Sequence, residues 1–117
     1  MKEFDLKVRT KKFALRIIKL FTSLPKTTEA QVIGKQVLRS GTSIGAQYRE
    51  ACRSRSNAEF ISKMESSLQE LDETSYWFEL LVDGGIVPAE KLHDLQTEAN
   101  ELTTIFVSSV KTAKLKK

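Results

Sequence analysis

The apolar residues of this chain recur at intervals of three and four along most of its length, and nowhere do they alternate with polar ones. That spacing is helical, because residues three or four apart share one face of a 3.6-residue turn. Leu6, Phe13, Ile17, Leu20, Phe21 and Leu24 mark a first helix over residues 5–24. Pro25 closes it, since a proline pushes the residue before it out of helical geometry. A second segment, residues 29–53, sets Ile33, Val37, Gly41, Ile44, Tyr48 and Ala51 with Cys52 on one side. Its small residues (Ser40, Gly41, Ser43, Gly45, Ala46) lower helix propensity, so packing has to hold it. Gly41 and Gly45, four apart, admit a close neighbouring helix.

Ser56 followed by Glu59 has the pattern of a capping box, opening a third helix to residue 83. Phe60, Met64, Leu68, Leu71, Ser75, Phe78 and Val82 form its core stripe, and Gly84-Gly85 stops it. Pro88 suits the first turn of a fourth helix, along which Leu92, Leu95, Ala99, Leu102, Phe106 and Val110 make a heptad-like seam. The basic tail, residues 111–117, is expected to fray. Four amphipathic helices with short connections make a single all-α domain, an antiparallel up-down-up-down four-helix bundle. Its weakest boundary is residues 53–56, where the second and third helices either separate or bend.

The 117 residues suffice for one domain and a core. One cysteine leaves no intramolecular disulfide, and Cys52 with His93 supplies only two soft ligands, too few for a zinc site in one chain. Glu3 and Asp5 interrupt the basic start that a secretory signal needs, and no apolar run approaches 18 residues. The expected location is the cytoplasm, with Cys52 reduced and no membrane partner.

A formal net charge of +4 conceals a sharp division. Residues 1–55 hold 13 basic and 4 acidic residues, residues 56–110 hold 2 basic and 11 acidic, and the tail adds four lysines. Arg9, Lys12, Arg16 and Lys19 form one stripe on the first helix, about 100° round from its apolar face. Lys35, Arg39, Arg49 and Arg53 lie opposite the core face of the second, with Arg55 just beyond. Such stripes fit the phosphates of a nucleic acid. They fit equally a solvated face, or pairing with the acidic helices over residues 59–83 and 90–101. Tyr76, Trp77 and Leu80 fall roughly 160–260° from Phe60 on the third helix, outside its core stripe. A patch of this kind marks an oligomer interface, unless a rotated helix or the termini cover it.

Two stretches carry a resemblance: GTSIGAQYREACRSRS from Gly41, continued by AEFISK from Ala58, and DETSYWFELL from Asp72. They resemble the bacterial four-helix-bundle proteins encoded in intervening sequences of 23S ribosomal RNA genes, relatives of the accessory proteins of diversity-generating retroelements. The likeness extends over about residues 6–110, with Gln47 where asparagine is expected. It implies an antiparallel bundle assembled as a homopentameric barrel, a role in binding RNA or DNA, and no enzymatic activity or cofactor. In the retroelement relatives it also implies a reverse transcriptase as partner. No catalytic residue is carried over.

The residues themselves give little to an enzyme. Glu90-x-x-His93 has the spacing of di-iron bundles, but such sites need two such motifs and further inward glutamates. Here Glu90 points away from the Leu92/Leu95 seam and His93 reads as an exposed helix residue. Cys52, on the apolar side of its helix, reads as a small core residue rather than a nucleophile. Asp72 and Glu73 face different ways, and Glu50 beside Arg49 and Arg53 suits an ion pair better than catalysis. Phosphate-binding glycine loops are absent. Two functions follow as expectations. The first is a non-enzymatic homo-oligomer that binds structured RNA electrostatically. The second is a protein-interaction scaffold whose basic face docks an acidic partner or a neighbouring subunit. A basic amphipathic helix lying on a membrane is disfavoured, because the bundle claims the apolar face of the first helix.

Overall fold

A computed structural model of the chain describes residues 5–116. It contains four helices, α1 (Leu6–Ser23), α2 (Thr28–Cys52), α3 (Asn57–Asp83) and α4 (Ala89–Leu115), and no strand among the described residues. Three of them open on a side-chain oxygen that accepts an otherwise unpaired amide of the first turn. Asp5 takes the Val8 N–H and Thr27 the Ala30 N–H, each at 3.3 Å, and Ser56 takes the Glu59 N–H at 3.0 Å. Glu59 reaches back to the Arg55 amide at 3.1 Å, one residue before the partner a capping box uses. Pro88 stands just ahead of α4 as its N-cap rather than inside the first turn. At the other end of α3, the amides of Gly84 and Ile86 return to Leu80 and Leu81, each at 2.9 Å. Gly85, at φ +73°, makes the left-handed turn that this closure needs.

The helices pack in sequence order and antiparallel, with α1 returning to α4 along the sparsest seam. The glycines of α2 decide how α1 lies. A Cβ on Gly41 would come within 2.8 Å of Ile17, and one on Gly45 within 2.9 Å of Thr10. Gly34 is filled in the same way by Leu24 and Phe21. The stripe 34–41–45 is therefore a trough into which α1 settles, as Gly41 and Gly45 suggested. Between α2 and α3 the buried polar groups are paired. Ser67 Oγ donates to the Ile44 carbonyl at 2.8 Å, and Thr74 Oγ1 lies 2.8 Å from Ser40 Oγ. Phe13, Ile17, Ile44, Met64, Leu71, Phe78, Leu102 and Phe106 fill the centre at 0–1% exposure. That is the close-packed interior on which most of the stability rests.

Three expectations need correction. The tail does not fray from residue 111: α4 stays helical to Leu115, because Ala113 extends the buried seam one turn beyond Val110. Asn57 Nδ2 also donates to the Ala113 carbonyl, at 2.6 Å. Of that tail, Lys117 lies outside the described residues. Cys52 is exposed rather than buried, since it is the last residue of α2 and Ala51 takes the inward position. Ile33, Tyr48, Phe60, Leu68 and Val82 rim the core half-buried, while Ala30, Gly34, Ser40 and Gly45 join Val37, Gly41, Ile44 and Ala51 as the buried residues of α2. Residues 53–56 separate α2 from α3 rather than bending one continuous helix.

Candidate nucleic-acid interface

The basic residues on α1 and α2 divide into spent and free charges. Arg9 turns inward against α4. Its Nε lies 3.0 Å and its Nη2 2.6 Å from the two carboxylate oxygens of Glu98, and Nη2 also reaches Glu101 at 2.9 Å. The hydrogen bond with Glu98 leads the causes that raise its pKa further. On α2, Arg39 spans to α3, with Nη1 3.3 Å from Glu70 and Nη2 on Glu73. Arg49 donates to the Lys7 carbonyl at 3.5 Å and lines the α1/α2 groove with Lys11. These side chains belong to the seams of the bundle. For Arg9 and Arg39, pairing with the acidic helices takes precedence over an open stripe.

The others stay open. Lys12, Arg16, Lys19, Lys35, Arg53 and Arg55 are exposed, with no carboxylate within 4.0 Å among the described residues. Arg16 and Lys19 line a shallow groove of about 380 Å³ between α1 and α4, with Lys91 on the far wall and Asp94 as its one acidic member. Sequence reasoning passed over Lys91 because it sits within the acidic half. Lys7 and Lys11 extend the positive surface of α1 on its opposite flank, beside α2. The two expected stripes thus reduce to one continuous edge, Lys12–Arg16–Lys19 with Lys91, and scattered cations on α2.

Glu50 is an ion-pair partner as expected, but its partner is Lys63 of α3, at 2.7 Å. That contact, with Arg53 adding a smaller pull, holds its carboxyl below the ordinary range. Tyr48 packs its ring 5.6 Å from Phe106, and burial first, then a hydrogen bond with Cys52, raises its phenol pKa. His93 and Glu90 are exposed on α4. Among the described residues, no group of three or more His, Cys, Asp or Glu side chains is placed to hold a metal ion. No described helix is long and apolar enough to cross a membrane.

The aromatic patch on α3 is smaller than the helical wheel implied. Tyr76 is open at 52% exposure, but Leu80 is half-buried and Trp77 packs against the core. Trp77 precedes Phe78 and lies four residues before Leu81, both buried, so its ring lies along the core rim. Its indole N–H is buried with no acceptor among the described residues. The Tyr76 ring rests 5.2 Å from it at 58°.

Residues 2–108 match the model of the 23S rRNA-intervening sequence protein family. No curated protein matches the chain. Among solved structures it is similar to a protein of unknown function from the S23 ribosomal protein family of Bacteroides thetaiotaomicron. The two are 38% identical, with 95% of this chain and 99% of that one covered and a TM-score of 0.87. A likeness of that extent covers all four helices and the turns between them. The chain belongs to the 23S rRNA-intervening sequence protein family.

Proposed function

We propose that this chain is a non-enzymatic, homo-oligomeric RNA-binding bundle, a pentamer acting in the cytoplasm, with structured 23S rRNA as its first candidate ligand. The observation that carries this is the composition of α1. Its 18 residues include six basic and no acidic side chains, and among the described residues Arg9 alone of the six pairs with a carboxylate. A helix that needed its charges only for internal salt bridges would not leave five of them with no carboxylate partner among the described residues. Lys12, Arg16 and Lys19, with Lys91 across the groove, form an edge suited to a phosphate backbone. Among the described residues Tyr76 is the one large exposed aromatic, which favours backbone contact over base readout. Oligomerisation through the α3 face at Tyr76, Trp77 and Leu80 would repeat this edge and raise avidity for a long ligand.

Fluorescence anisotropy with a labelled structured RNA tests this. Four phosphate contacts give a slope near −3.6 in log K against log salt, so affinity falls about a hundredfold between 50 and 200 mM salt. Binding that ignores salt contradicts the proposal.

A second reading has one observation in its favour: Arg9 and Arg39 already grip carboxylates. The basic face then docks an acidic protein surface, either a reverse transcriptase, as kinship with retroelement accessory proteins would imply, or a neighbouring subunit. Protein purified free of nucleic acid, with Arg39 and Arg49 buried at a contact, would favour it.

A further inference from the structure

Two faces of this chain are opposites in charge and alike in build. On α1, Val8, Leu15 and Ile18 stand 45%, 53% and 45% exposed on the outer side, among six basic residues and no acidic one. On α3, Tyr76 is 52% exposed with half-buried Leu80 beside it, on a helix with seven acidic residues and one basic. An open groove of about 550 Å³ runs past Tyr76 between Gln69, Glu70, Asp72 and Glu73, of which Glu70 and Glu73 already hold Arg39 of α2. Each face thus has a small apolar centre, set among lysines and arginines on α1 and beside Asp72 on α3, an exposed carboxylate with no cation within 4.0 Å among the described residues.

We propose that the α1 face of one copy docks on the α3 face of a second copy, with Leu15 and Ile18 against Tyr76 and Lys7 and Lys11 beside Asp72. Charge complementarity selects this pairing, because α1 against α1, or α3 against α3, would bring like charges together as they lose water. The flank of α1 that is used lies toward α2, where Lys11 borders the α1/α2 groove. Arg16 and Lys19 lie on the other flank, in the groove with α4, and stay available to phosphate. The two faces differ, so the contact is head-to-tail. Every copy offers one face and accepts with the other, which closes a ring or extends a filament and does not stop at a two-fold dimer.

The inference rests on the homo-oligomer proposed above and assigns its faces. Complementation tests it. Ile18→Glu removes the α1 face, and Asp72→Asn with Tyr76→Gln removes the α3 face. All three side chains are exposed, so circular dichroism should be unchanged. By light scattering, each variant alone should run as a 13.2 kDa monomer, and an equimolar mixture should give a species of twice that mass and none larger. A mixture that stays monomeric, or a variant that keeps the wild-type assembly, overturns the pairing of faces. The salt-dependent RNA affinity would still stand on its own measurement. A wild-type chain that is itself monomeric overturns the inference together with the oligomer.

Discussion

Arg9 of α1 holds Glu98 of α4 in a two-pronged grip, with Nε at 3.0 Å and Nη2 at 2.6 Å from its two oxygens. Both side chains are mostly buried, 17% and 20% exposed, and they tie the sparsest of the four helix seams. One arginine of a stripe that looks continuous in sequence is therefore part of the scaffold, and its neighbours a turn away are not.

Removing that tie should cost stability and spare binding. Arg9→Met keeps the alkyl packing and leaves Glu98 without its partner. The loss is about 1–2 kcal/mol, between an exposed and a buried pair, or about 4–8 °C in Tm. RNA affinity should change less than twofold. A Tm unchanged by the substitution, or an affinity loss equal to that at Arg16, contradicts this division of roles.

The trough on α2 should resist filling. Gly41→Leu drives a branched side chain into Ile17, whose Cγ1 already lies 2.8 Å from where the first added atom would sit. Overpacking of this kind costs about 1–3 kcal/mol, more than the propensity that leaving glycine recovers. Urea unfolding reads it directly, and a midpoint at or above wild type would show that α1 does not sit in the trough.

The hydroxyl pair between α2 and α3 should behave as a unit. Thr74 Oγ1 donates once, to Ser40 Oγ at 2.8 Å or to the Glu70 carbonyl at 2.7 Å, with Ser40 completing the buried contact. Thr74→Val costs about 1–2 kcal/mol by leaving Ser40 underpaired. Adding Ser40→Ala should cost less than the sum of the two single changes, by about 0.5–1.5 kcal/mol. Strict additivity would show that the hydroxyls do not interact.

Glu50 and Lys63 supply a pH signature. The hydrogen bond from Lys63 holds the Glu50 carboxyl below its ordinary 4.5, and the same contact lifts Lys63 above 10.5. A depressed acid stabilises the fold above its unfolded pKa and loses that contribution as pH falls through the folded value. The raised lysine contributes below 10.5 and is lost as pH rises through its folded value. The difference in stability between wild type and Lys63→Met should thus be small and constant across neutral pH, and vanish in acid well below 4.5. A difference that survives in strong acid contradicts the assignment.

Helix number, order and most boundaries were legible because apolar periodicity, Pro25, Ser56 and Gly84-Gly85 are local signals. What escaped depends on how helices rotate against each other. The buried face of α2 also takes in Ala30, Gly34, Ser40 and Gly45, small residues that hydropathy undervalues, with Gly34 and Gly45 among those that admit α1 closely. Arg9 and Arg16 share a stripe on the wheel, yet only the tertiary seam decides that Arg9 meets Glu98. Cys52 and Ala51 are adjacent at a helix end, where a small rotation exchanges inside for outside. Lys91 was hidden by its acidic neighbours in sequence and appears only across the groove from Arg16 and Lys19.

The free edge of α1 carries the functional proposal, and one binding measurement addresses it most directly. Labelled structured RNA is titrated with wild-type protein and with the Arg16→Glu, Lys19→Glu double variant across a salt series. The expected result is at least a tenfold loss of affinity at low salt, and a salt slope shallower by about 2, with the fold unchanged. Equal affinity and equal slope for the two proteins would contradict a phosphate-binding role for α1.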